Sequence, residues 1–103
     1  MIGHGQLWWA DLAGDKVRPV LILTRANIAP LLHNVLIAPI TTTIREIPTE
    51  VTLDIDNGVR QRCVANLDNT QLVPVKRLLA QIGEIEEHRW PDVCAAMAAV
   101  LSC

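Results

Sequence analysis

Short apolar runs of strand length, separated by polar or proline-bearing turns, fill the chain as far as Ile85. Leu7-Trp8-Trp9-Ala10 and the run from Pro19 to Thr24 carry the β-branched and aromatic side chains that favour strands. Pro19 suits the start of a strand, where a missing N–H costs least. Between these runs, Ala13-Gly14-Asp15-Lys16 forms a short polar loop. Ala26 to Leu32 predicts one or two helical turns with Asn27 as N-cap. Val35 to Ile40 is continuously apolar, the pattern of a central strand. Val51, Leu53 and Ile55 alternate with Thr52 and Asp54, which predicts a strand with one buried face. Asp56-Asn57-Gly58 tolerates positive φ and predicts a hairpin, with a return strand from Val59 to about Leu67. A shorter strand near Gln71 to Val73, a helical turn over Pro74 to Leu79 and a strand from Ala80 to Ile85 follow.

The last segment, from about His88 to Leu101, is alanine-rich and apolar and predicts a helix. Pro91 fits only in its first turn, where no intrahelical bond needs the missing N–H. Val93, Met97 and Leu101 share one stripe, widened by Cys94 and Ala98, and that surface needs a cover. Several short strands plus one terminal helix define a mainly β chain: a small, strongly bent antiparallel barrel with a C-terminal α-helix. Residues 1–103 are expected to form a single domain, since 103 residues is near the common size for an independent core.

Composition narrows the class. Half of the residues are apolar and there is no tyrosine or phenylalanine, so aliphatic side chains must fill the core. No apolar run reaches the roughly 18 residues of a membrane span, and no basic-then-apolar leader opens the chain. Cys63, Cys94 and Cys103 are an odd set without CxxC spacing or paired histidines, which argues against a disulfide framework or a zinc site. A cytoplasmic protein without membrane attachment, metal or cofactor is the expectation. The net charge of −2 excludes a generic nucleic-acid coat. Its distribution is uneven, however. Residues 1–45 hold Lys16, Arg18, Arg25 and Arg45 against Asp11 and Asp15, whereas residues 84–92 hold Glu84, Glu86, Glu87 and Asp92 against Arg89. A local basic groove on an acidic body fits this asymmetry.

Two strand edges carry candidate chemistry. Arg18 opens Arg18-Pro19-Val20-Leu21-Ile22-Leu23, and Val35-Leu36-Ile37-Ala38-Pro39-Ile40 delivers Thr41-Thr42-Thr43. A guanidinium binds two phosphate oxygens at once and stays charged at any working pH, and hydroxyls add donors. Together with Gly5-Gln6-Leu7-Trp8-Trp9-Ala10-Asp11-Leu12, this order resembles the MazF/PemK family of toxin endoribonucleases. The matching family stretches are Arg-Pro-Val, here Arg18-Pro19-Val20, and Pro-Ile-Thr, here Pro39-Ile40-Thr41. A further stretch, Val64-Ala65-Asn66-Leu67-Asp68-Asn69, resembles one that ends in Asp-Gln in many relatives. Asp68 matches the aspartate, and Asn69 replaces the glutamine. Asn66 stands where some members carry an assisting arginine, and Asp15 lies near the acidic position of the first loop.

The resemblance implies an SH3-like (CcdB/PemK-like) barrel that forms a homodimer, with Arg18 and Thr41 as catalytic residues and Asp68 and Asn66 in support. It implies metal-independent, sequence-selective cleavage of single-stranded RNA, whether mRNA, rRNA or tRNA, with arrest of growth. The ribose 2′-hydroxyl attacks phosphorus and the 5′-oxygen leaves, giving a 2′,3′-cyclic phosphate. A fixed guanidinium and hydroxyl stabilise the charge that grows on the non-bridging oxygens. Thr42, Thr43, Lys16, Arg25, Arg45, Lys76 and Arg77 are the expected RNA contacts. Trp8 corresponds to a core tryptophan, while Trp9 faces solvent, a neighbour or a base. His4, His33 and His88 match no family motif, so the general base is unassigned. A MazE-like antitoxin with a flexible acidic segment is the implied partner. Two alternatives belong to other classes: a CcdB-like toxin that binds gyrase through its terminal helix, and a non-catalytic protein-binding barrel. CcdB-like chains share a Trp-Gly-Ile ending that Val100-Leu101-Ser102-Cys103 lacks.

Overall fold

The computed structural model describes residues 2–12 and 16–102; Ala13, Gly14, Asp15 and Cys103 lie outside the described residues. Its strands are β1 (Gln6–Asp11), β2 (Val17–Ile22), β3 (Asn34–Thr41), β4 (Glu50–Leu53), β5 (Cys63–Asn66), β6 (Gln71–Pro74) and β7 (Leu78–Glu84), and α1 spans Trp90–Val100. They form one antiparallel sheet in the order β4-β5-β3-β2-β1-β7, with β6 also paired to β3. The fold is a curled half-barrel with a C-terminal helix. Pro91 lies in the first turn of that helix, as the sequence predicts, and Asp92 beside it complements the helix dipole.

β3 is central, as its unbroken apolar run requires. One of its edges pairs with β2; the other pairs first with β6 and then with β5. Side chains alternate across this strand, so it contributes to two cores. Leu7, Leu21, Ala38 and Ile40 face a cluster completed by Val51, Leu53, Ala65, Val93 and Ala96. Ala10, Val20, Ile22, Val35 and Ile37 face the opposite cluster, where Trp8 packs against them. Burial on both faces explains why strict polar–apolar alternation is missing here. Trp8 is thus a packing residue, with its indole N–H on Gln6 Oε1 at 2.9 Å.

Several local expectations need correction. Asn27 caps no helix: a 3-10 turn covers only Ala29–Leu31, and Ile28 precedes it without a side-chain cap. The β4 alternation stops at Leu53, and Ile55 is 70 % exposed at the start of a 3-10 turn, Ile55–Asn57. Asp54 ends the strand because its carboxylate accepts the Asp56 N–H while the Asn57 side chain accepts the Asp54 N–H, a reciprocal cap. The return strand begins at Cys63, not Val59. On α1, Val93 and Ala96 are buried, whereas Cys94 and Leu101 border an open apolar cleft rather than the core.

The two ends of the sheet meet without a ladder. Asn57 is buried and its amide donates to the Glu84 carbonyl on β7 at 3.3 Å. Gly58 adopts φ +100°, and a Cβ there would stand 2.6 Å from the Ile82 carbonyl oxygen. A Cβ on Gly83 would stand 2.1 Å from the Asn57 oxygen. Glycine at both positions lets two backbones touch, which fixes the segment that follows Gly58 against β7.

Candidate active site

β2 and β3 pair over Val20–Ile22 only, and then separate. β2 stays with β1 as far as Val17, while Ile40 and Thr41 turn to β5. Proline explains the parting. The Leu23 N–H donates to the Leu36 carbonyl, so the residues of β2 two and four positions back also direct their backbone groups toward β3. The second of these is Pro19, which has no N–H to give. The rung toward Ile40 is therefore incomplete, and a cleft opens there.

This cleft has a volume of about 440 Å³ and is lined by Trp9, Pro19, Ile40, Thr41, Thr42, Gly58, Val59, Arg60, Gln61, Cys63 and Ile82. Trp9 lies opposite Pro19 across the β1–β2 ladder and is 40 % exposed. The Thr41 hydroxyl oxygen accepts the Thr43 backbone N–H at 3.2 Å, which orients the hydroxyl at the cleft edge. Arg60 and Gln61 come from the exposed segment pinned to β7 by Gly58. Burial, reinforced by the negative charge of Asp54, pushes the Cys63 thiol above its ordinary pKa. It therefore contributes a neutral surface rather than a thiolate.

The expected residues separate into groups. Thr41 and Thr42 line the cleft. Arg18 is exposed one residue before Pro19, paired with Ala10 on β1, and is not itself among the residues that line the cleft. Lys16, Arg25, Thr43 and Arg45 are exposed but do not line the cleft. Lys76 borders a separate cavity beside His33, and Arg77 reaches Asp11, with Nη1 3.4 Å from its carbonyl and 4.0 Å from Oδ2. Asn66 is buried and its Oδ1 accepts the Asp68 N–H at 3.0 Å. Asp68 in turn accepts the Thr49 hydroxyl. These two residues shape a turn away from the cleft lining. None of His4, His33 and His88 lines it either.

Arg60 and Gln61 were not anticipated from the sequence. The available signal is the polar run Arg60-Gln61-Arg62 directly after Gly58, which lacks the alternation of a strand.

A second cavity, about 570 Å³, contrasts with the first. It is lined by His4, Gly5, Asp56, Glu84, Ile85, Glu86, Glu87 and Trp90. The His4 ring lies 4.7 Å from the Trp90 ring, tilted by 57°, and its Nδ1 accepts the Ala26 N–H at 3.1 Å. Four carboxylates make this the wrong environment for a polyanion.

A half-barrel with hydroxyls, an exposed indole and an arginine in one cleft is a surface suited to single-stranded nucleic acid. The pattern of the family described as PemK-like, MazF-like toxin of type II toxin-antitoxin system matches residues 4–101. The chain belongs to this family. It is 49 % identical over 83 residues to Endoribonuclease MazF3 of Mycobacterium tuberculosis, covering 81 % of each chain. Among solved structures it resembles the Mycobacterium tuberculosis toxin MazF-mt6 at TM-score 0.88 and 44 % identity, covering 94 % of this chain and 96 % of that one. It also resembles a mycobacterial endoribonuclease solved in complex with its cognate antitoxin, at TM-score 0.86 and 25 % identity, over 99 % and 96 % of the two chains.

Proposed function

We infer that the chain is the toxin of a toxin–antitoxin pair and an endoribonuclease that cuts single-stranded RNA at the cleft between β2 and β3. The observation that carries this reading is the meeting of family and geometry at Thr41. The stretch Pro39-Ile40-Thr41 that resembles the family's ends where the strands part, and Pro19, the neighbour of Arg18, lines the same cleft. In this reading the RNA 2′-hydroxyl attacks the adjacent phosphorus, the P–O5′ bond breaks, and a 2′,3′-cyclic phosphate remains on the upstream fragment. Arg18 stabilises the negative charge on the non-bridging oxygens and Thr41 donates to one of them. Neither role requires a metal.

The mycobacterial endoribonuclease solved with its cognate antitoxin supports a protein partner here as well. In this reading the partner's acidic segment competes with RNA for the cleft. The apolar strip that α1 leaves open, around Cys94, Met97 and Leu101, supports a homodimer. No helix among the described residues is long and apolar enough to cross a membrane, and a cytoplasmic site of action fits an RNA substrate. The gyrase-binding and non-catalytic alternatives are not favoured, since the named relatives are endoribonucleases.

The test is cleavage of a mixed-sequence single-stranded RNA in EDTA. The unmutated chain is expected to cut, and Arg18→Ala to cut about a hundredfold more slowly, the loss of roughly 3 kcal/mol typical for one such donor. A single deoxyribose at the cut site should abolish cleavage there. Cleavage that persists at the deoxyribose would rule out attack by the 2′-hydroxyl.

A further inference from the structure

The cleft holds more than a phosphate needs. Its floor is apolar, made by Trp9, Pro19, Ile40, Val59 and Ile82, and only the Thr41–Thr42 end and the Arg60–Gln61 lip are polar. Phosphate gains nothing from an indole face or a valine. A nucleobase gains from both, because its rings stack and its edge still needs partners. We propose that this cleft seats one nucleobase next to the scissile phosphate, stacked on Trp9 and read at its edge by Arg60 and Gln61. The inference rests on the endoribonuclease reading and adds the residues that select the cut site.

Three features favour a base over other occupants. Thr41 and Trp9 line the same cavity, so a phosphate held at the threonine brings its own nucleotide to the indole. The volume of about 440 Å³ is at the scale of a small-ligand pocket rather than a long peptide groove. The turn that leads into the reading groups is also anchored. Asn57 ties the turn to Glu84 on β7, and the close approach of Gly58 to the Ile82 carbonyl fixes the backbone two residues before Arg60. Arginine presents paired donors, and glutamine presents a donor and an acceptor, the groups that distinguish base edges. Reading from a turn anchored on β7 gives selectivity that an untethered loop does not.

The experiment sequences the ends produced from a randomised single-stranded RNA pool. Unmutated chain, Arg60→Ala, Gln61→Ala, Trp9→Ala and the neighbouring control Arg62→Ala are compared, with folding checked by circular dichroism. Arg60→Ala and Gln61→Ala are expected to relax base preference about tenfold at one position beside the cut, with the other positions unchanged. Trp9→Ala should raise KM about tenfold or more while leaving the reading position partly selective. Arg62→Ala, outside the lining, should leave the motif intact. An unchanged motif in both lip variants would overturn the base subsite while leaving the ribonuclease reading standing. Lip variants that keep the motif but lose antitoxin binding would assign the cleft to the protein partner instead, also overturning it. No cleavage of the pool by the unmutated chain would overturn the ribonuclease reading, and the subsite with it.

Discussion

Two cavities in this small half-barrel each contain a tryptophan, and their surroundings give them opposite uses. Trp9 stands exposed over an apolar cleft edged by Thr41, Thr42 and Arg60. Trp90 is packed against the main core, touches His4, and borders a larger cavity with Asp56, Glu84, Glu86 and Glu87. Size alone would direct attention to the second. Charge reverses that choice, since four carboxylates repel a phosphodiester that a guanidinium attracts. The net charge of −2 accordingly says little about RNA binding, because four of the eleven acidic residues line the second cavity and none among the described residues lines the cleft.

The sharpest way to break the comparison is to remove each indole in turn. Trp90→Ala is expected to lower stability by about 3 kcal/mol, read by urea unfolding, because the ring packs on the core beside Val93 and Met97. Its KM for RNA should be unchanged under conditions where the variant is folded. Trp9→Ala should show the reverse, with weaker RNA binding by about 1–3 kcal/mol and little change in unfolding midpoint. Equal losses of binding in the two variants would remove the distinction between the cavities.

A smaller effect belongs to the acidic side alone. Glu86 is held below the ordinary carboxylate range by a hydrogen bond from its own backbone, opposed by slight desolvation and aided by the Asn57 amide and Arg89. A depressed folded-state pKa contributes stability that is present above the unfolded pKa and is lost as pH falls through the folded value. Glu86→Gln should therefore flatten the acid limb of the stability–pH curve without altering RNA cleavage at neutral pH. An acid limb identical to that of the unmutated chain would show that Glu86 contributes nothing to it.

The difference between the cavities was only partly legible in sequence. Val35 to Ile40 announced a central strand, and Pro91 marked the first turn of the helix, because unbroken apolar runs and proline act locally. Arg18-Pro19 and Ile40-Thr41 were legible as edges. The gap that Pro19 opens between them appears only when β2 and β3 are paired. Arg60 and Gln61 were hidden for a related reason. The segment after Asn57-Gly58 reads as a returning strand, but Gly83 lies 25 residues away and its lack of a side chain lets the turn dock on β7. Ile55 misled because alternation continued for one residue beyond the Asp54 cap. The expected cations Lys76 and Arg77 followed charge alone, and one of them is engaged with Asp11.

Amide chemical shifts of labelled protein, titrated with single-stranded RNA carrying deoxyribose at the cut site, test the site assignment most directly. Shifts concentrated at Trp9, Thr41, Thr42 and Gly58 to Gln61, with His4, Glu84 to Glu87 and Trp90 unmoved, are the expected result. Shifts confined to the acidic cavity around Trp90, with Trp9 and Thr41 unmoved, would contradict it.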